Sequence, residues 1–162
     1  MSPNGSNGKP SILIVDDEEM VIASIRAFLQ LETDYQIHGF TDAEEAARFT
    51  ESHRVDVAVS DYLMPKMNGI QLLARVKEKQ PEASRVLLTG HADKQSAIQA
   101  INQVSLFQYL EKPWDNAQLL LVIESGAERA RLFRDLRDKV EQLGAANSSL
   151  KDVQKRLIEA FL

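Results

Sequence analysis

Cysteine is absent from this 162-residue chain, which excludes disulfides and thiol chemistry and argues against a structural zinc site. No apolar run approaches the roughly 20 residues that a membrane-spanning helix requires. Residues 1–10 are rich in Ser, Asn, Gly and Pro and lack the apolar core of a secretory signal. They read as a disordered lead-in, and a cytoplasmic location follows. Basic residues number 19 against 24 acidic ones, and the formal net charge of −5 leaves no footprint for direct nucleic-acid binding and no pull toward an anionic membrane. Internal repeats and low-complexity segments are lacking too. What remains is an ordinary globular composition, enough for one domain with an appendage.

Short apolar runs alternate with amphipathic stretches. Strands are expected at Ser11–Val15 and at 35–40, 55–60, 85–89 and 106–110. Helical patterns fill 18–31, 42–52, 68–80 and 93–102. The first carries Val21, Ile22, Ile25, Phe28 and Leu29 near a 3.6-residue period, and Thr41 or Asp42 can cap the second. Five βα units in about 110 residues predict a doubly wound α/β sheet of parallel strands. Its central strands are mostly apolar because both faces are covered.

Beyond Asp115 no proline interrupts the helical pattern, and a long C-terminal helix is expected. Heptads counted from Phe133 place Phe133, Val140, Asn147, Gln154 and Phe161 at a positions. Leu136, Leu143, Leu150 and Leu157 take the d positions. That spacing predicts a parallel two-stranded coiled coil, with Asn147 setting register, and hence a homodimer. Gly144, Ser148 and Ser149 weaken the pattern, and the competing arrangement is a helix folded back on its own domain. The chain stops inside the pattern, so a longer protein with an output domain is expected. The division is a lead-in at 1–10, an α/β domain at 11–125 and a helical extension at 126–162.

The chemistry concentrates at strand ends. Asp16 and Asp17 close the run Ile12-Leu13-Ile14-Val15, and Asp61 closes the run from Val55 to Ser60. In an open parallel sheet these ends share one crevice. Three carboxylates there repel one another unless a cation intervenes, and oxygen-only ligands favour Mg²⁺ or Ca²⁺. A carboxylate beside such a cation can attack phosphorus to give an acyl phosphate. Lys112, after the fifth strand, offers an ammonium to the phosphoryl group. Thr89, ending the fourth, offers a hydroxyl. Singly these are turn residues and caps. Together, at the ends of strands one, three, four and five, they describe a site.

Over roughly residues 11–125 the chain resembles the receiver domain of two-component response regulators. The resemblance rests on Asp16-Asp17, on Asp61-Tyr62-Leu63-Met64-Pro65-Lys66-Met67-Asn68-Gly69, on Thr89-Gly90 and on Tyr109-Leu110-Glu111-Lys112-Pro113. It implies a flavodoxin-like sheet of order 2-1-3-4-5. It also implies that Asp61 takes a phosphoryl group from a phosphohistidine of a sensor histidine kinase or histidine phosphotransfer protein. Asp17, Asp61 and the Leu63 carbonyl would ligate Mg²⁺, with Asp16 acting largely through water. Thr89 and Lys112 would contact the phosphoryl oxygens, and Tyr109 would turn inward on activation. Leu63 and His91 match positions that modulate phosphoryl lifetime, and Lys112-Pro113 matches a peptide bond that is usually cis. Met64 and Met67 read as packing residues, and His38 and His53 as structural or solvated. Trp114 is either a core anchor or a contact at a dimer surface.

The implied function is a signalling switch rather than an enzyme, catalysing only its own phosphotransfer and dephosphorylation. Three alternatives compete. An aspartyl-nucleophile phosphohydrolase of the haloacid-dehalogenase kind spaces its two aspartates differently. A flavodoxin-like cofactor binder would repel its phosphate with Asp16-Asp17-Glu18-Glu19. A purely structural dimerisation module has no use for the acidic site.

Overall fold

The computed structural model describes residues 8–144 and 148–161. Strands β1 (Ser11–Val15), β2 (Gln36–Phe40), β3 (Val57–Asp61), β4 (Ser84–Thr89) and β5 (Gln108–Glu111) alternate with helices α1 (Glu19–Glu32), α2 (Ala43–Ser52), α3 (Gly69–Lys79) and α4 (Lys94–Gln103). A short 3₁₀ turn, His91–Asp93, precedes α4, and helices α5 (Asn116–Gly144) and α6 (Ser148–Phe161) follow β5. The sheet is wholly parallel, in the order β2-β1-β3-β4-β5, as the sequence implied.

Alternation along the strands divides the core in two. Leu13, Val15, Ala58 and Leu87 face α2, α3 and α4. Ile12, Ile14, Val57, Val59, Val86 and Leu88 face α1 and α5. Every residue of β1, β3 and β4 is buried, which accounts for their nearly unbroken apolar runs. Asp42 caps α2, its side chain accepting from Glu44 N at 2.9 Å. Asn68 and Gln71 form a reciprocal capping box that starts α3.

Arg85 was not singled out in the sequence, yet it is one of the largest fully buried side chains. It donates to the carbonyls of Val104 (2.7 Å), Ala83 (2.9 Å), Pro81 (3.2 Å) and Ser105 (3.2 Å), joining the start of β4 to the end of α4. Burial lowers its pKa to about 10, with the Arg129 charge adding to the effect and Glu82 opposing it.

The base of the sheet carries an ion-pair network. Asp56, just before β3, accepts from Ser11 N at 2.7 Å and from Arg134 on α5, and lies 3.7 Å from Arg54. Arg134 also donates to the Val55 carbonyl (3.0 Å) and lies 3.6 Å from Glu82, which Arg137 holds at 2.9 Å. Val55 lies outside β3: its N–H donates to Gln80 Oε1 at 2.8 Å and its carbonyl accepts from Arg134. Higher on α5, Ser84 Oγ donates to the Gly126 carbonyl at 2.7 Å, and a Cβ on Gly126 would sit 3.1 Å from Ser84 Cβ. The helix therefore lies close against β4.

The expected unbroken C-terminal helix is instead two helices. α5 ends at Gly144, and α6 begins at Ser148 and runs back along it. Phe161, in the last turn of α6, meets Phe133 edge-on at 5.6 Å and accepts a hydrogen bond from Arg129, both far from the end of α5. Val140 and Gln154 line the same seam. Two features of the sequence favour the break. Gly144 costs a helix about 1 kcal/mol relative to Ala, and a hairpin buries the Phe133–Leu136–Val140 stripe without a second chain. Asn147 lies outside the described residues, as does the side chain of Leu150. Within the described part, Leu136, Val140 and Leu157 pack across the hairpin, while Leu143 is 66% exposed.

Candidate functional site

Register carries the site residues to one edge. Val15 pairs with Ser60, Asp61 with Leu88, and Thr89 with Glu111, so Asp16, Asp61, Thr89 and Lys112 emerge side by side. Two further contacts fix the loop after β3. Tyr62 N donates to the Leu88 carbonyl, and Gly69 N to the Tyr62 carbonyl, each at 2.9 Å. Gly69 must lack a side chain, because a Cβ there would lie 2.2 Å from the Asp61 carbonyl oxygen. That close approach brings the start of α3 beneath Asp61.

Carboxylate oxygens of Asp16, Asp17 and Asp61 lie within 4.8 Å of one another. Asp16 is fully buried and Asp61 is 7% exposed, while Asp17 faces solvent. Lys112 Nζ lies 2.9 Å from Asp61 Oδ1 and 3.5 Å from Asp16 Oδ2. Asp61 Oδ1 also accepts from Tyr62 N at 3.0 Å, and Asp16 Oδ1 from Glu18 N at 2.9 Å. Asp16 Oδ2 is buried without a hydrogen-bond partner among the described residues.

Burial raises the Asp16 pKa, and the neighbouring Asp61 and Asp17 charges add to the shift, while the Glu18 amide and Lys112 oppose it. For Lys112, burial pulls the pKa down, but its bond to Asp61 and the charges of Asp16 and Asp61 outweigh that and leave it raised. Lys112 thus serves two carboxylates with a third beside them. A buried oxygen with no hydrogen-bond partner among the described residues, in an all-oxygen donor set, fits a hard divalent cation.

Thr89 is fully buried, and its hydroxyl donates to its neighbour Gly90's carbonyl at 3.1 Å. Tyr109, opposite Leu87 on β5, is half-buried against the α2–α4 core. Leu63 stands 62% exposed after Asp61, and His91 opens the 3₁₀ turn, its side chain outside the described residues. The Lys112–Pro113 bond is cis. Met67 is buried and Met64 packs on the same core, while Trp114 packs beside α5. Burial lowers the His38 pKa, with the His53 charge adding to it, and Phe49 stacks on His53 at 4.3 Å.

Sequence reasoning missed the charged groups at the base, Asp56, Glu82, Arg134 and Arg137. The signal available was Asp56 itself, a lone carboxylate inside an apolar run.

The profile of the response regulator receiver domain matches residues 12–124. A hydrogenase transcriptional regulatory protein, HoxA of Bradyrhizobium diazoefficiens, is 27% identical over 88% of the chain, and the chain spans only 29% of its length. The transcriptional regulatory protein FixJ of the same organism is 27% identical, covering 95% of this chain and 74% of that one. Among solved structures, the signal receiver domain of an HD domain-containing protein from Pseudomonas fluorescens Pf-5 superposes with a TM-score of 0.71 at 35% identity. That match covers 76% of this chain and 98% of the other.

Proposed function

The chain belongs to the response regulator receiver family, and on that premise we propose that Asp61 is its phosphoacceptor. The reading rests on one observation above all: Asp61 Oδ1 lies 2.9 Å from Lys112 Nζ beside two further carboxylates. Lys112 holds that carboxylate at the sheet edge, where an oxygen can offer a lone pair to phosphorus. The Asp61 oxygen bonds to phosphorus as the bond from phosphorus to a histidine nitrogen of the donor breaks, and the pair of electrons leaves with that nitrogen. The donor is a sensor histidine kinase or a histidine phosphotransfer protein.

Asp17 and Asp61, with the Leu63 carbonyl, would hold Mg²⁺ directly, and Asp16 would act on it largely through water; such an ion would supply positive charge to the phosphoryl oxygens. Lys112 stays with the same oxygens and is set to follow the transferred group. Thr89 must release the Gly90 carbonyl to reach it, and Tyr109 turns into the space vacated. Leu63 and His91 tune access of water to the product. The resulting shift in a two-state equilibrium passes through β5 to α5 and the extension.

In this reading the protein acts in the cytoplasm as a homodimer joined through its C-terminal helices, and residues 1–162 make no direct contact with nucleic acid. Its only catalysis is its own phosphotransfer and dephosphorylation. The length of the HoxA relative favours an output domain attached to the extension. In the same reading residues 1–10 are a lead-in, 11–125 the receiver and 126–162 the helical extension. Incubation with a small phosphodonor and Mg²⁺ tests the central claim. One phosphoryl group should add to the wild type and none to Asp61→Asn, by intact mass. Equal labelling of the two proteins would refute it.

A further inference from the structure

We propose that Ser60 is a positioning residue for phosphotransfer, its hydroxyl fixing the peptide group that holds the carboxylate of Asp61. The proposal rests on the reading of Asp61 as phosphoacceptor and adds what aims its side chain.

Ser60 is a hydroxyl in an apolar layer. It shares a face of β3 with Ala58, pairs with Val15 and Leu87, and is fully buried. A hydroxyl in such a place is unfavourable unless it finds an acceptor. The acceptor is the backbone of the next residue: Ser60 Oγ donates to the Asp61 carbonyl at 2.9 Å. β1 pairs with β3 only as far as Ser60, so this carbonyl lies past the last pair on that side. Gly69 closes over it, since a Cβ there would come within 2.2 Å of the oxygen.

The other end of the same peptide faces the chemistry. The Tyr62 N–H is shared between the Leu88 carbonyl at 2.9 Å and Asp61 Oδ1 at 3.0 Å. Oδ1 is also the oxygen that Lys112 Nζ holds at 2.9 Å. Carbonyl and N–H belong to one rigid plane, so a bond at one end fixes where the other points. Accepting at the oxygen also polarises the amide and strengthens donation at the nitrogen. Ser60 thereby acts on Oδ1 through the Asp61–Tyr62 peptide, without touching the phosphodonor. Together with Lys112 it keeps the carboxylate in one orientation for the incoming phosphorus. Ser84 offers the contrast. It is equally buried, and its hydroxyl also donates to a carbonyl, that of Gly126 at 2.7 Å, but it lies at the opposite end of β4 from Thr89.

Three variants of the full chain separate positioning from packing. Ser60→Ala removes the hydroxyl, and Ser60→Cys replaces it with a weak donor that still fills the space. Ser84→Ala deletes a comparable buried bond away from the acidic site. In ¹⁵N-labelled protein without metal or phosphodonor, the Tyr62 amide proton should move upfield in both Ser60 variants and stay in place in Ser84→Ala. With acetyl phosphate and Mg²⁺, the maximal rate of Asp61 labelling should fall roughly threefold to tenfold in both Ser60 variants, the range set by one hydrogen bond. The half-saturating acetyl phosphate concentration should not change, and Ser84→Ala should label at the wild-type rate. An unmoved Tyr62 resonance in Ser60→Ala, wild-type labelling of Ser60→Cys, or equal slowing in Ser84→Ala would each overturn the proposal. A wild type that is not labelled at Asp61 would instead refute the phosphoacceptor reading, and the Tyr62 resonance would still decide whether Ser60 sets this peptide.

Discussion

Strand β3 is preceded by one buried aspartate, Asp56, and ends on another, Asp61, and their surroundings are opposite in balance. At the base, the carboxylates of Asp56 and Glu82 meet the guanidiniums of Arg54, Arg134 and Arg137. Both oxygens of Asp56 are engaged. At the other end, Lys112 pairs with Asp16 and Asp61 beside the third carboxylate of Asp17, and Asp16 Oδ2, 3.5 Å from the ammonium, has no hydrogen-bond partner among the described residues. Residue type and burial are nearly the same at the two ends. Charge balance separates them: the base is neutralised from within and serves as a fastening, whereas the top has a deficit only an outside ligand can fill. Unmet electrostatic demand marks the functional end better than burial or composition does.

The largest effect should come from erasing the reactive end alone. Asp61→Asn should abolish labelling completely while urea unfolding remains cooperative and the base network keeps α5 in place. Residual labelling at another carboxylate would blur the contrast. Next, Arg134→Met removes the main partner of Asp56 and leaves a buried charge. Breaking a buried pair in this way costs about 3 kcal/mol or more. Urea denaturation should show that loss with Asp61 labelling preserved, and a cost below about 1 kcal/mol would reduce the base to an ordinary surface pair.

Saturating Mg²⁺ should repay part of the deficit at the top. At one hundred times its dissociation constant, a ligand specific for the folded state stabilises it by about 2.7 kcal/mol. Thermal melts should rise accordingly for wild type and for Arg134→Met, but not for Asp17→Ala. The smallest effect concerns Asp16 without metal. Its raised pKa means that the folded state binds this proton more readily than the unfolded chain. The ionised carboxylate therefore costs stability above its folded pKa, and the cost fades as pH falls through that value. Asp16→Asn should stabilise the metal-free protein by about 1 kcal/mol at pH 8 and by less in acid. A gain independent of pH would point to packing instead.

The top of the molecule was legible in its sequence because the local code and the global fold agree there. Each functional residue ends an apolar run, and an open parallel sheet brings such ends together. Thr89, Lys112 and the aspartates meet where order alone put them. The base was illegible for a matching reason. Arg134 and Arg137 share a helical face, but no local pattern says that this face returns to Asp56, and arginines on a helix ordinarily read as solvated. The break at Gly144 was misjudged because a heptad repeat specifies that a stripe is covered without saying by which chain. Leu136 and Leu157, expected in a coil, pack across a hairpin instead.

Arg85 has a mechanical consequence. Its four bonds to carbonyls weld the end of α4 to the foot of β4, whereas Tyr109 and Thr89 lie further along, with no comparable clamp among the described residues. A body fixed at one end and pushed at the other swings about the fixed end. In the proposed switch Val104 and Ser105 would act as a hinge pin, with displacement growing along β5 away from it. A small pull on the Thr89 hydroxyl at the far end would then be delivered as an angle rather than a translation, and the face beside β5 would tilt while its foot stayed still.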